Sequence, residues 1–170
     1  MKITNRRIKR LEAFPEQTFE FPEKIDQGAE SIVYKISNKY VAKVPRHNFL
    51  RLEKEFFIAR GLYNKNISVP IPYGMFNITF WDLVRPAYIM EYIPGERLDT
   101  LRKLSKNERD KINNLFSREI EKVEDIGFTM DDVGTHNAIW SPEKQKVYLI
   151  DFSDWKKPGF FKKLIGKYKK

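Results

Sequence analysis

The sequence predicts an α+β fold, with a first half built on antiparallel strands and a second half anchored by one long helix. Short β-forming runs separated by a turn tripeptide ("SIVYKI", "SNK", "YVAKVP") account for the strands. Two segments, near residues 48–66 and 105–126, change to helical period. A 41% apolar content over 170 residues is enough to build a core for one domain or two very small lobes.

Taken in order, "DQGAE" reads as a tight turn into the first strand, and "SIVYKI" and "YVAKVP" as a hairpin. In the second of these Val41 and Lys43 share one face and Tyr40, Ala42 and Val44 the other, and alternation leaves open which face is solvated. "NFLRLEKEFFIARGLYNKN" places Leu52, Phe56, Ala59 and Leu62 on one helical stripe, closed by asparagines. "VPIPYGMF" and "YIMEYI" read as two further strands joined by "NITFWDLVRPA", with the prolines pushing the first toward a sheet edge. Pro94 and Gly95 in "IPGERLDTLRKL" mark a change of direction.

Ser105 and Glu108 stand at capping-box spacing ahead of a long helix whose apolar face is Ile112, Leu115, Phe116, Ile120 and Val123. It ends before Gly127. The polar run "GFTMDDVGTHNAIW" follows, then a second hairpin of "NAIW", a turn at "SPEKQK", and "VYLIDF" with an acid at its exit. There is no internal repeat or low-complexity segment. The basic tail "KKPGFFKKLIGKYKK" reads as a terminal helix or as a segment that orders only on a partner.

Composition excludes several classes of chemistry. With no cysteine there are no disulfides and no thiolate nucleophile, and with two histidines a zinc cluster would have to be mostly carboxylate. "MKITNRRIKRL" lacks a signal-peptide apolar core, and no run approaches a membrane span, so a soluble cytoplasmic protein is the default expectation; secretion into a host as an effector fits the same pattern. The net charge of +9 is uneven: residues 1–10 carry five basic groups and residues 156–170 seven lysines, neither with an acid, so the ends sum to +12 and the middle to 9 − 12 = −3. Such ends suit RNA, an acidic protein or an anionic membrane surface, or serve simply as solvated tails.

Five side chains stand out chemically. Glu55 lies on the apolar stripe of the first helix, where a carboxylate needs a cation, and Lys43 is the natural candidate. Such a pair would hold a lysine head oriented over a polyphosphate. A hairpin between Asn137 and Asp151 would return both to one end of a sheet, where their oxygens suit magnesium. Asp132 is then placed to accept a proton from an attacking hydroxyl. Each residue alone has a plainer reading: Lys43 as a surface strand lysine, Asp131 and Asp132 as turn residues, Asn137 as a local cap.

A glycine turn, a strand lysine, a stripe glutamate, D-x(4)-N and D-F occur here in the order of the protein-kinase signature. The chain thus resembles the protein-kinase-like superfamily, and "IDQGAESIVYKI" is most similar to the glycine loop of the small RIO and Bud32-type kinases. The resemblance implies a minimal bilobal kinase-like fold. It would have an antiparallel-sheet N-lobe with one αC-like helix at 1–92 and a truncated helical C-lobe at 93–170, carrying the catalytic loop, the metal-binding segment and the basic tail. It implies ATP and Mg2+ as cofactors. Gly28, Ala29 and Ser31 would cover the phosphates, Lys43 would contact them, and Glu55 would pair with Lys43, with Glu53 as its off-stripe competitor. Backbone groups near Glu91 and Tyr92 would receive adenine, Asp132 would be the catalytic aspartate, and Asn137 and Asp151 the metal ligands.

Departures from that pattern shape the functional expectation. The loop has one glycine, Met130 stands where the family has histidine, and Ser153 replaces the D-F-G glycine. Nineteen residues follow Asp151, too few for a full activation segment, so substrate recognition is expected from the basic termini or a tightly bound protein partner. The resemblance implies an ATP-dependent serine/threonine protein kinase, including autophosphorylation. The alternatives are a Bud32-like ATPase in an RNA-modification assembly and a nucleotide-binding pseudokinase that acts as an interaction module. His136 reads as a phosphate contact or as a plain turn residue.

Overall fold

The computed structural model describes residues 13–14, 23–80 and 83–156. The chain divides into two compact units, Met1–Tyr63 with Pro70–Ile93, and Asn64–Val69 with Pro94–Lys170. The basic N-terminal segment and the tail beyond Lys156, to which the sequence assigns partner binding, lie outside the described residues.

The described part of the first unit is a five-stranded antiparallel sheet of order β1-β2-β3-β5-β4 with one helix. Its strands are β1 (Glu23–Gln27), β2 (Ser31–Lys35), β3 (Tyr40–Pro45), β4 (Pro72–Phe80) and β5 (Leu83–Glu91), and the helix α1 is Phe49–Tyr63. β3 is central and Tyr40 to Val44 are all buried, so both of its faces carry core. On one face Tyr40, Ala42 and Val44 join Phe14, Ile78, Ala87 and Ile89. Phe14 meets Tyr40 and Phe76 edge-on at 5.4 and 5.3 Å, and its N–H bonds to Asn77 O, adding residues 13–14 beside the β4 edge. The other face meets α1, where Glu55 reaches Lys43 and Leu52, Phe56 and Ala59 are also buried.

Two elements of this unit differ from the sequence expectation. β1 is a strand that the alternation rule misses, because "EKIDQ" is exposed along its whole length at a sheet edge and has no apolar face to read. The connection expected at "NITFWDLVRPA" is mostly strand: β4 and β5 pair as far as Phe80↔Leu83. Prolines are accommodated by position. Pro72 lies on the edge strand, and Pro86 pairs with Asn77 in a stretch that β3, matched only to Tyr88–Glu91, does not flank.

The second unit contains α2 (Lys106–Asp125) and a three-stranded antiparallel sheet β6-β7-β8, formed by Glu96–Arg97, Ala138–Ser141 and Lys146–Leu149. Its described part is thus a helix on a small sheet, where the resemblance implied a mainly helical lobe. The Ser105 side chain accepts from Glu108 N and Glu108 accepts from Ser105 N, completing the expected capping box. Gly95 is required by close approach, since a Cβ there would lie 2.1 Å from Trp140 O. The linker Asn64–Val69 belongs to this unit: Leu149 N bonds Ser68 O at 2.8 Å, and Ser68 N bonds Glu119 Oε2 at 2.9 Å. No helix among the described residues is long and apolar enough to cross a membrane.

Candidate active site

In the first unit, Lys43 Nζ lies 2.7 Å from Glu55 Oε1, with side chains 8% and 4% exposed. β3 brings the lysine and the buried stripe of α1 brings the glutamate. Tyr88 stands across the strand from Lys43 and packs edge-on against Phe56 at 5.5 Å. Burial first, and the Glu55 charge second, push its phenol well above the ordinary value. The ion pair thus sits in a low-dielectric, aromatic-walled setting where each charge depends strongly on the other. Glu53 is half-buried and off the buried face of the helix.

Gly28, Ala29 and Glu30 form the short connection from β1 to β2, closed by Gly28 N to Ser31 O at 3.0 Å. Gly28 and Ala29 are exposed and Ser31 is buried. A Cβ on Gly28 would meet only Ser31 O, at 3.9 Å, so the fold leaves that glycine open rather than requiring it. Glu30 ties the loop to the start of α1: its carbonyl accepts from Arg46 N and its carboxylate from Arg51 Nη1 at 3.1 Å.

At Glu91 and Tyr92 the backbone donors are already engaged, Glu91 N to Ile71 O at 3.0 Å and Tyr92 N to Lys39 O at 2.9 Å. A ligand hydrogen-bonding to this segment would therefore have to use carbonyl oxygens or the next N–H along, a restriction that sequence alone does not reveal. The Lys35 ammonium lies 4.3 Å over the Tyr92 ring.

In the second unit the polar run folds into a tight constellation. Residues Thr135–Asn137 make one 3-10 turn, closed by Asn137 N to Gly134 O at 3.0 Å. Asn137 Nδ2 donates to Asp132 O at 3.0 Å and approaches Asp132 Oδ2 at 3.4 Å. The register Ala138↔Leu149 continues as a bond from Ile150 N to Asn137 O at 2.9 Å, which sets Asp151 one residue past Asn137's partner. With the Asn137 amide nitrogen turned to Asp132, its oxygen would be the group to meet a cation, and Asp151 would supply a carboxylate. This oxygen-only donor set fits magnesium, which takes few protein ligands and fills its shell with water and phosphate oxygens. Among the described residues no three His, Cys, Asp or Glu cluster as a metal site, so a cation here would depend on such outside oxygens.

Asp132 and Asp151 both have left-handed backbone, φ 62° and 58°. That conformation is uncommon for a residue with a Cβ, although aspartate tolerates it better than most. Two acids of one constellation held this way mark it as a place where geometry is kept against local preference. Ser153 is not among the positive-φ residues, so a side chain in the D-F-G glycine position introduces no backbone strain. The half-buried Met130 precedes an outward turn at Asp131, whose carboxylate takes the Lys156 ammonium. Thr129 and Lys156 also exchange two backbone bonds, at 2.7 and 2.8 Å, closing the segment after Asp151 back onto the one before Asp132.

Sequence reasoning missed three neighbours. Arg97 binds both carboxylate oxygens of Asp99. That hydrogen bonding, more than charge from Arg97 or His136, holds the Asp99 carboxyl below its ordinary value. Glu119, on a helix face that periodicity assigns to apolar residues only, is buried beneath the linker. Gly134 offers no pattern to read, yet its missing Cβ makes room for the His136 ring.

No protein-family model matches the chain. Over 145 residues it is 34% identical to the KEOPS complex subunit Bud32 of Pyrococcus abyssi, a match that covers 84% of this chain and 60% of that protein. The chain thus spans about three-fifths of the length of the relative it matches.

Proposed function

Proceeding from distant homology to the kinase-like protein Bud32, we propose that this chain binds ATP with magnesium and transfers the γ-phosphoryl group to a serine or threonine hydroxyl of a protein, itself included. The observation that carries the proposal is the coexistence of the buried Lys43–Glu55 pair with the Asp132–Asn137–Asp151 constellation. A lysine needed only for stability has little reason to occupy the centre of a sheet; one that orients phosphates must be held still, and Glu55 does that.

In this reading Lys43 neutralises and orients phosphate oxygens, the connection at Gly28, Ala29 and Ser31 covers them, and carbonyl groups near Glu91 and Tyr92 meet the adenine amino edge. Asn137 and Asp151 would hold magnesium, which when bound supplies charge neutralisation at the phosphates. Asp132 orients the acceptor hydroxyl and takes its proton. A second reading, ATP hydrolysis within a multi-subunit assembly, is favoured by one finding: the relative is named as a subunit of a complex. There water replaces the hydroxyl and the basic termini would meet RNA or protein.

The test follows the γ-phosphate of labelled ATP with the full chain and magnesium, comparing wild type with Asp132→Ala. Label on protein that falls by about 10²–10⁴-fold in the variant supports the kinase reading. Free phosphate without protein label moves the assignment to the ATPase. Nucleotide binding with neither product would make the chain a binding module and overturn both.

A further inference from the structure

His136 lies beside Asp132, and nothing in the proposed reaction yet uses it. Its Nε2 is 3.3 Å from Asp132 Oδ1 and 3.4 Å from Oδ2, so one ring nitrogen addresses both carboxylate oxygens. The turn Thr135–Asn137 carries the ring back over its own loop. That fold-back is possible because residue 134 is glycine: a Cβ there would stand 2.5 Å from both Cε1 and Nδ1 of His136. Gly134 has extended backbone, φ −157°, which any residue adopts, so the glycine is needed for the ring and not for the chain path.

We propose that His136 is a positioning residue for the reaction, an N–H donor that together with Asn137 Nδ2 holds the Asp132 carboxylate in the orientation that receives the acceptor proton. The inference rests on the reading of Asp132 as that proton acceptor. Asp132 needs such support. Its side chain is 65% exposed and it sits on left-handed backbone. A carboxylate held by one long amide contact would swing; two donors on different atoms of one short turn fix both its tilt and its rotation.

The exposure of the pair also separates this role from a structural one. An ion pair or hydrogen bond between side chains 45% and 65% exposed contributes little to stability, so removing it should leave the fold where it was and show itself only in turnover.

The experiment compares full-length wild type, His136→Ala, His136→Gln, Gly134→Ala and Asp132→Ala for kcat, KM for ATP and melting temperature, together with 15N and 1H NMR of the histidine rings without nucleotide. The expected result is a loss in kcat of about 10–100-fold in His136→Ala with KM for ATP and melting temperature unchanged. Glutamine, which keeps an N–H donor, recovers much of the loss, and Gly134→Ala, which displaces the ring, reproduces it. The NMR spectrum shows a hydrogen-bonded Nε2–H that disappears in Asp132→Ala. An unchanged kcat in His136→Ala alongside a dead Asp132→Ala overturns this inference alone. A glutamine variant no better than alanine, or a ring signal indifferent to Asp132, overturns it as well. Full activity in Asp132→Ala rejects the proton-acceptor assignment and this inference together.

Discussion

At the scale of single residues, the Lys43–Glu55 pair is the feature most exposed to mutation. Lys43→Met removes the cation from a carboxylate that stays 4% exposed, and unfolding free energy is expected to fall by about 3–5 kcal/mol. Lys43→Met combined with Glu55→Leu replaces both charges by apolar groups and should return stability to within about 1–2 kcal/mol of wild type while removing the phosphate contact proposed for Lys43. Urea denaturation of the three proteins checks it; a single variant as stable as wild type would mean that the carboxylate finds other support. The lysine was only partly legible in sequence. Its strand alternates Val41 and Lys43 against Tyr40, Ala42 and Val44, a pattern that identifies a solvated face only when one exists, and β3 has none. Glu55 was easier to read, because an acid in register with Leu52, Phe56 and Ala59 contradicts its own stripe. Gly134 and His136 were hard to read for the opposite reason: a tight turn places ring and glycine together without any periodicity.

At the scale of elements, those with a periodic apolar pattern or a cap were legible and those with neither were not. α2 had both an apolar face and a capping box, and both are present. β1 and β6 had neither: the first is a polar edge strand, the second two residues, Glu96–Arg97, that pair with β7 only because Gly95 lets the chain approach Trp140. Glu119 shows how one element secures another. Its Oε2 accepts the Ser68 N–H while its Oε1 meets Lys122 at 2.6 Å. Glu119→Ala leaves that buried N–H without its acceptor and should cost about 1–3 kcal/mol, whereas Glu119→Gln, which keeps an acceptor, should cost less than half as much. Hydrogen exchange at the Ser68 and Leu149 amides would show faster opening in the alanine variant, and equal exchange in both variants would refute the assignment.

At the scale of the whole molecule, charge is distributed against the body of the chain, +12 at the ends and −3 between them. Lys156 divides the C-terminal group into two kinds of lysine. It is held by Asp131, whose hydrogen bond raises its pKa, and by two backbone bonds to Thr129. The six that follow (7 − 1) contribute charge beyond the described residues. Ending the chain after Lys156 should therefore lower the net charge from +9 to +3 and flatten the salt dependence of binding to a polyanion such as heparin. Ending it after Trp155 should also lower the melting temperature by a few degrees. Equal melting of the two would show that the Thr129–Lys156 pairing adds nothing.

The linker Asn64–Val69 leaves one unit, is bonded within the other through Ser68, and returns at Pro70, so the chain passes between the units three times. The border after Ile93 is consequently no clean cut. A fragment ending there would carry Ile67 and Val69, buried in the intact chain, without the residues they belong with, and a fragment starting at Pro94 would present an unfilled slot beside Leu149 and Glu119. A strip of covalent chain belongs to each half of such a cut, so each fragment is expected to expose apolar surface and to aggregate more readily than the intact chain.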